Sequence, residues 1–152
     1  TISRSASYFT DINMAWNINL SLSDMTDSHP HKFLQSQLEN YPNLKRISIE
    51  ITAQKALVEP AKFNQFSEIC DELGINIVID NFDQQDCDLQ AILTFPISAI
   101  KVSAALFDKN ADDMATENFI KAHIVSAASN KLEVIAKRVE HKDVRGFKTT
   151  RY

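Results

Sequence analysis

The sequence predicts an α/β fold built on a parallel sheet, and two observations carry that prediction. Short apolar runs rich in β-branched residues alternate along the chain with longer stretches of helical periodicity. The connection from each run to the next has the length of a crossover, which returns a strand parallel to its predecessor. An open doubly wound sheet and a (β/α) barrel share this signature, and the pattern alone does not choose between them. In both, ligands sit at the carboxyl ends of the strands.

The elements follow in order. Ala15-Trp16-Asn17-Ile18-Asn19-Leu20 reads as the first strand, and Pro30 to Tyr41 follows with Phe33, Leu34, Gln37 and Leu38 at helical spacing. Arg46-Ile47-Ser48-Ile49-Glu50-Ile51 alternates strictly and makes the second strand. Pro60 through Leu73 sets Phe63, Phe66, Ile69, Cys70 and Leu73 on one helical stripe, a packing face, with Gly74 as its C-terminal cap. Ile75 to Ile79 is the third strand, ended by a polar loop from Asp80 to Asp88. A short helix around Leu89 to Thr94 leads to a fourth strand, Ala99-Ile100-Lys101-Val102. A helix from about Thr116 to Ser129 precedes the fifth, Leu132 to Ala136.

Composition places these elements in one unit. The 152 residues are 44% hydrophobic and 24% charged, with two glycines, four prolines and no linker or repeat. No window approaches the roughly 18 apolar residues of a membrane span. The start, Thr1-Ile2-Ser3-Arg4, has neither an initiator Met nor a signal peptide, so a fragment of a longer cytoplasmic protein is expected. Cys70 and Cys87 are then reduced thiols, and no CxxC spacing gives them a redox role. The net charge of −4 is uneven. Lys131, Lys137, Arg138, Lys142, Arg145, Lys148 and Arg151 face only Glu133, Glu140 and Asp143 in the last stretch. Such a tail is either a solvated helix face or a surface that meets phosphate. His29 and His31 flank Pro30 without further ligands at zinc spacing.

Polar residues recur where the strands end. Asn19 and Ser21 close the first, Glu50 and Thr52 the second, Asp80 and Asn81 the third. Lys101 lies within the fourth, and Lys137, Arg138 and Glu140 follow the fifth. A parallel arrangement brings these ends to one rim, where oxygen donors suit a hard divalent cation and a lysine orients water or neutralises phosphate. Singly, each has a plainer role: Asp80 or Asn81 as a helix cap, Glu50 as a solvent-facing residue of a half-exposed strand.

Taken together, these segments resemble the EAL family. Ile18-Asn19-Leu20-Ser21 is similar to its "NLS" strand, Glu50-Ile51-Thr52 to "E-[IL]-T-E", and Leu73-Gly74 with Ile79-Asp80-Asn81-Phe82 to "LG…DDFG". Ile100-Lys101-Val102 is similar to "KID", and Val134 through Glu140 to "viAEGVE". The resemblance implies a TIM-like (β/α) barrel with a metal site at its mouth and cyclic di-GMP as ligand. It covers nearly the whole chain, read as a single partial domain over residues 1–152. The Glu-Ala-Leu strand would precede Thr1, and the last strands would follow Tyr152. By the same resemblance, Asn19, Glu50 and Asp80 match metal ligands, Lys101 the catalytic-site lysine and Glu140 the late glutamate.

The departures shape the functional expectation. Asn81 stands where the family has the second Asp of its pair, a ligand of the second metal. Ala53 replaces a Glu, and Lys137 and Arg138 replace the acid and glycine before "VE". The loop Asp83 to Asp88 lacks the family's glycines. A two-metal site needs several carboxylates to offset the repulsion of its ions, so hydrolysis is expected to be lost. Any remaining activity would require Mg²⁺ or Mn²⁺. Lys101, Lys137 and Arg138 are then candidate contacts for the phosphates of cyclic di-GMP in a receptor. The alternatives are a protein-interaction module without nucleotide binding, and an active phosphodiesterase whose missing motifs lie outside this chain. Five strands fall short of a closed barrel, so self-association through strand edges is also expected.

Overall fold

In a computed structural model, the strands pair in the order of the chain, each parallel to the next, in one six-stranded sheet. The structure describes residues 2–10, 14–20, 30–38, 41–81, 88–103, 114–137 and 148–149. The strands are β1 (Trp16–Asn19), β2 (Ile47–Thr52), β3 (Asn76–Asp80), β4 (Ala99–Ser103), β5 (Glu133–Lys137) and β6 (Lys148–Thr149). A doubly wound sheet reverses its strand order at a switch point. This one does not reverse, which makes it an arc of a TIM-like (β/α) barrel.

Among the described residues the helices are α1 (Ile2–Phe9), α2 (Pro30–Leu38), α3 (Ala53–Val58), α4 (Pro60–Leu73), α5 (Leu89–Ile92) and α6 (Met114–Ser129). A 3₁₀ turn, Leu44–Arg46, enters β2. Three of the elements go beyond the sequence expectation. α1 is rich in serine and polar on most faces, α3 starts directly where β2 stops, and β6 has only two residues. Among the described residues the sheet therefore has six strands where the sequence indicates five. In α3 the Thr52 hydroxyl accepts from the Lys55 backbone N–H at 3.4 Å, an N-cap that turns the strand end into a helix start.

The strand period of two divides the sheet into unlike faces. Trp16, Ile18, Ile47, Ile49, Ile51, Ile77, Ile79, Ile100 and Val102 alternate along the strands and join Leu34, Leu38, Phe63, Phe66, Cys70 and Ile92 from the helices in one core. Phe63, fully buried, meets Phe95 edge-on with ring centroids 4.8 Å apart. At the β1 end, Phe9 stacks on Trp16, whose indole N–H donates to the Tyr41 hydroxyl at 3.0 Å. The indole thereby keeps a partner inside an otherwise apolar setting.

Helix α4 shows how local sequence sets these packing partners. Pro60 opens it with a φ already helical. Phe63, Phe66, Ser67 and Cys70 then fall on one buried face at spacings of three and four. Gly74 ends it at φ 75, a left-handed conformation. Its N–H donates to the Asp71 carbonyl at 2.9 Å, and the Ile75 N–H donates to the Cys70 carbonyl at 2.8 Å. Those two bonds are the paired closure of a Schellman motif, and they aim the chain straight into β3. No helix among the described residues is long and apolar enough to cross a membrane.

Candidate functional site

In a parallel sheet, residues paired in register project to the same face. Asn19 pairs with Glu50, Thr52 with Asp80, Lys101 with Ile135, and Ser103 with Lys137. Since Ile49, Ile51, Ile79, Ile100 and Ala136 face the helices, Asn17, Asn19, Glu50, Asp80, Lys101 and Lys137 lie on the opposite face. In a closed barrel that is the lumen. The polar positions singled out in the sequence are therefore one side of the sheet, concentrated toward its carboxyl rim.

Two clusters form there. Glu50 sits between two isoleucines, yet it is buried and turned away from them, so the solvent-facing alternative does not hold. Its Oε1 accepts from Lys101 Nζ at 2.5 Å and from Asn17 Nδ2 at 2.5 Å. The Lys101 and Glu50 side chains are 5% and 7% exposed, which makes them a buried ion pair. In the second cluster Lys137 Nζ lies 2.7 Å from Asp80 Oδ1 and also donates to Asn81 Oδ1. Asp80 Oδ1 accepts the Asn81 backbone N–H at 2.8 Å as well.

Asp80 shows what these contacts do electrostatically. Partial burial disfavours its charged form, but the Lys137 hydrogen bond, the Asn81 N–H and the charges of Lys137 and Lys101 outweigh it. Its carboxyl is held below the usual aspartate range. The charge of Lys101 reaches Asp80 as well as Glu50, so the two clusters share one field.

The sequence expectations fare unevenly. Glu50, Asp80, Asn81, Lys101 and Lys137 come together, while Asn19 is exposed at the end of β1. Ala53 is buried at the start of α3. Ser21, His29, Cys87, Arg138 and Glu140 lie outside the described residues. Asn17 was not anticipated, although it shares the strand parity of Asn19, which would have placed it on the same face.

A pair of divalent ions does not fit the described residues. No group of three His, Cys, Asp or Glu side chains among them is arranged to hold a metal. Each carboxylate, Glu50 and Asp80, already has a lysine ammonium on one oxygen. Asn81 contributes a neutral amide. Two carboxylates and two ammonium groups leave these four side chains close to neutral, where a two-ion site requires a surplus of carboxylate. A separate cavity of about 600 Å³, lined by Leu34, Leu38, Tyr41, Leu44 and Leu73 among others, includes none of these residues.

Comparison with known proteins agrees with the geometry. A family model described as "EAL domain" matches residues 2–147. No curated protein matches the chain. Among solved structures, the FimX EAL domain from Pseudomonas aeruginosa bound to c-di-GMP superposes with a TM-score of 0.80 at 15% identity, over 93% of this chain and 58% of that one. The PaMucR phosphodiesterase in its c-di-GMP complex gives 0.74 at 19% identity, over 93% and 63%. An EAL domain protein from Listeria monocytogenes gives 0.75 at 17% identity, over 92% and 57%. The chain thus spans about three-fifths of the length of these structures. The strand-ordered arc, the polar lumen face and the match across residues 2–147 together place this chain in the EAL domain family.

Proposed function

We propose that this chain is a non-hydrolytic regulatory domain of cyclic-di-GMP signalling, which binds the nucleotide without a divalent metal. The observation that carries this reading is the pairing of both lumen-face carboxylates with lysines, Glu50 with Lys101 and Asp80 with Lys137. Hydrolysis by two metals needs those carboxylates free to hold ions that clamp the attacking and leaving oxygens. The FimX and PaMucR structures contain c-di-GMP, which supports the choice of nucleotide. Lys101, Lys137 and Arg138 are the proposed phosphate contacts.

A second reading is favoured by the same pairs. Lysines whose charge is already balanced attract phosphate less, and a domain that binds no nucleotide would then act by contact with a protein partner. Calorimetric titration of c-di-GMP, once in EDTA and once in Mg²⁺, separates the readings. Binding that persists in EDTA, with no linear dinucleotide formed in Mg²⁺ or Mn²⁺, is the expected result. Steady release of linear dinucleotide would sink the non-hydrolytic reading. Absence of binding in both buffers, for a folded sample, would replace the receptor with the interaction module.

A further inference from the structure

Two positions where this sequence departs from the EAL pattern, 81 and 137, lie 56 residues apart in the chain and touch in the fold. Lys137 reaches from the end of β5 over β4 to the end of β3, where its ammonium donates to Asp80 Oδ1 at 2.7 Å and to Asn81 Oδ1. Asp80 in turn accepts the Asn81 N–H, which closes a ring of three residues. Asn81 has φ 53, a left-handed conformation that Asn adopts more readily than most residues. The amide at 81 and the base at 137 are therefore complementary. An acid at 137 would repel Asp80, while an ammonium satisfies one carboxylate and one amide oxygen with its own donors.

We propose that Lys137 is a tethered cation in the place of a divalent metal at the Asp80–Asn81 corner: it holds that corner in one arrangement and bars Mg²⁺ and Mn²⁺ from it. This deepens the non-hydrolytic reading given above and rests on it. A lysine is always present at its own site, whereas a metal is present only at sufficient concentration. The corner is thus closed whatever the supply of divalent ions. One ammonium balances one carboxylate, and a divalent ion facing the same carboxylate and amide would remain half uncompensated.

The test uses Mn²⁺ alone, without nucleotide, titrated calorimetrically into the full chain, Lys137→Glu and the double variant Asn81→Asp/Lys137→Glu. The double variant is expected to bind Mn²⁺ roughly 10–100-fold more tightly than the parent, with the single variant between them. Equal affinities in all three would overturn the proposal. Should the acidic variants fail to fold, Lys137→Gln supplies a second reading through hydrogen exchange. The Asn81 N–H should exchange at least about tenfold faster in that variant, while amides in the middle of β2 keep their protection. Unchanged exchange at Asn81 would equally overturn it. Because neither measurement contains c-di-GMP, failure here leaves nucleotide binding untouched, and failure to bind nucleotide leaves the role of Lys137 standing.

Discussion

Lys101 Nζ and Glu50 Oε1 meet at 2.5 Å on the lumen face of the sheet, although 51 residues separate them in the chain. Both side chains are almost wholly removed from water. The benefit of such a pair lies less in its attraction than in the cost of leaving either charge alone. Lys101→Met should therefore destabilise the domain by about 3–5 kcal/mol. Lys101→Met/Glu50→Gln, which removes both charges, should cost less than the sum of the single changes. Urea unfolding of the three variants provides the cycle, and strict additivity would show that the two groups do not depend on each other.

The Asp80–Lys137 pair predicts an acid-side dependence of stability. The carboxyl of Asp80 is held below its ordinary range in the folded state, so the folded state binds its proton less readily than the unfolded chain. Its contribution is complete above the unfolded value of about 3.9 and is lost as pH falls toward the folded value. In Lys137→Met the difference from the parent protein should be largest near neutrality and shrink below about pH 4. Urea midpoints measured from neutral to acidic pH check this. A constant difference would mean that Lys137 stabilises by packing rather than by charge.

Gly74 carries the turn from α4 into β3 at φ 75. A Cβ there would meet the Lys45 side chain no closer than 3.6 Å, so space is not the obstacle. The penalty is conformational. Gly74→Ala should cost roughly 1–2 kcal/mol and Gly74→Asn clearly less, because Asn tolerates the left-handed region. Chemical denaturation of both variants checks the order, and an Asn variant as unstable as the Ala variant would contradict it.

Burial pushes the Cys70 thiol up to about 12. It has no exposed surface, and the thiolate is the reactive form. In a Cys87→Ser background, Ellman's reagent at about pH 8 should leave native protein unmodified and titrate one thiol after unfolding. Rapid modification of the native protein would mean that α4 opens locally far more often than its packing implies.

Much of this architecture could be read from local pattern. The first five strands lie within a residue or so of their sequence pattern because their apolar alternation is strong, and α4 does so because Pro60 and Gly74 bracket a clear stripe. α1 is hard to read because its apolar face, Ile2, Ala6 and Phe9, offers only three positions in eight residues, short of the window in which helical periodicity stands out. α3 escaped because Thr52 ends a strand and caps a helix at once. In the site, residue types were legible but partners were not. Nothing near Glu50 in sequence indicates whether its side chain faces water or Lys101, since parity identifies a face only once another strand defines which side is buried. The pairing of Lys137 with Asp80 is likewise a property of strand order, invisible to any window along the chain.

The unlike faces of the sheet also divide the mutational burden of the domain. Ile49, Ile51, Ile79 and Ile100 hold helices to the strands, while Glu50, Asp80, Lys101 and Lys137 stand on the other side of the same backbone. Chemistry can be rewritten on one side while the side that holds the helices keeps its residues. Acid can become amide, and acid can become base, so long as each new charge finds an opposite one. A scaffold of this kind can pass from one role to another by exchanging a few side chains, and its fold alone then says little about which role it currently plays.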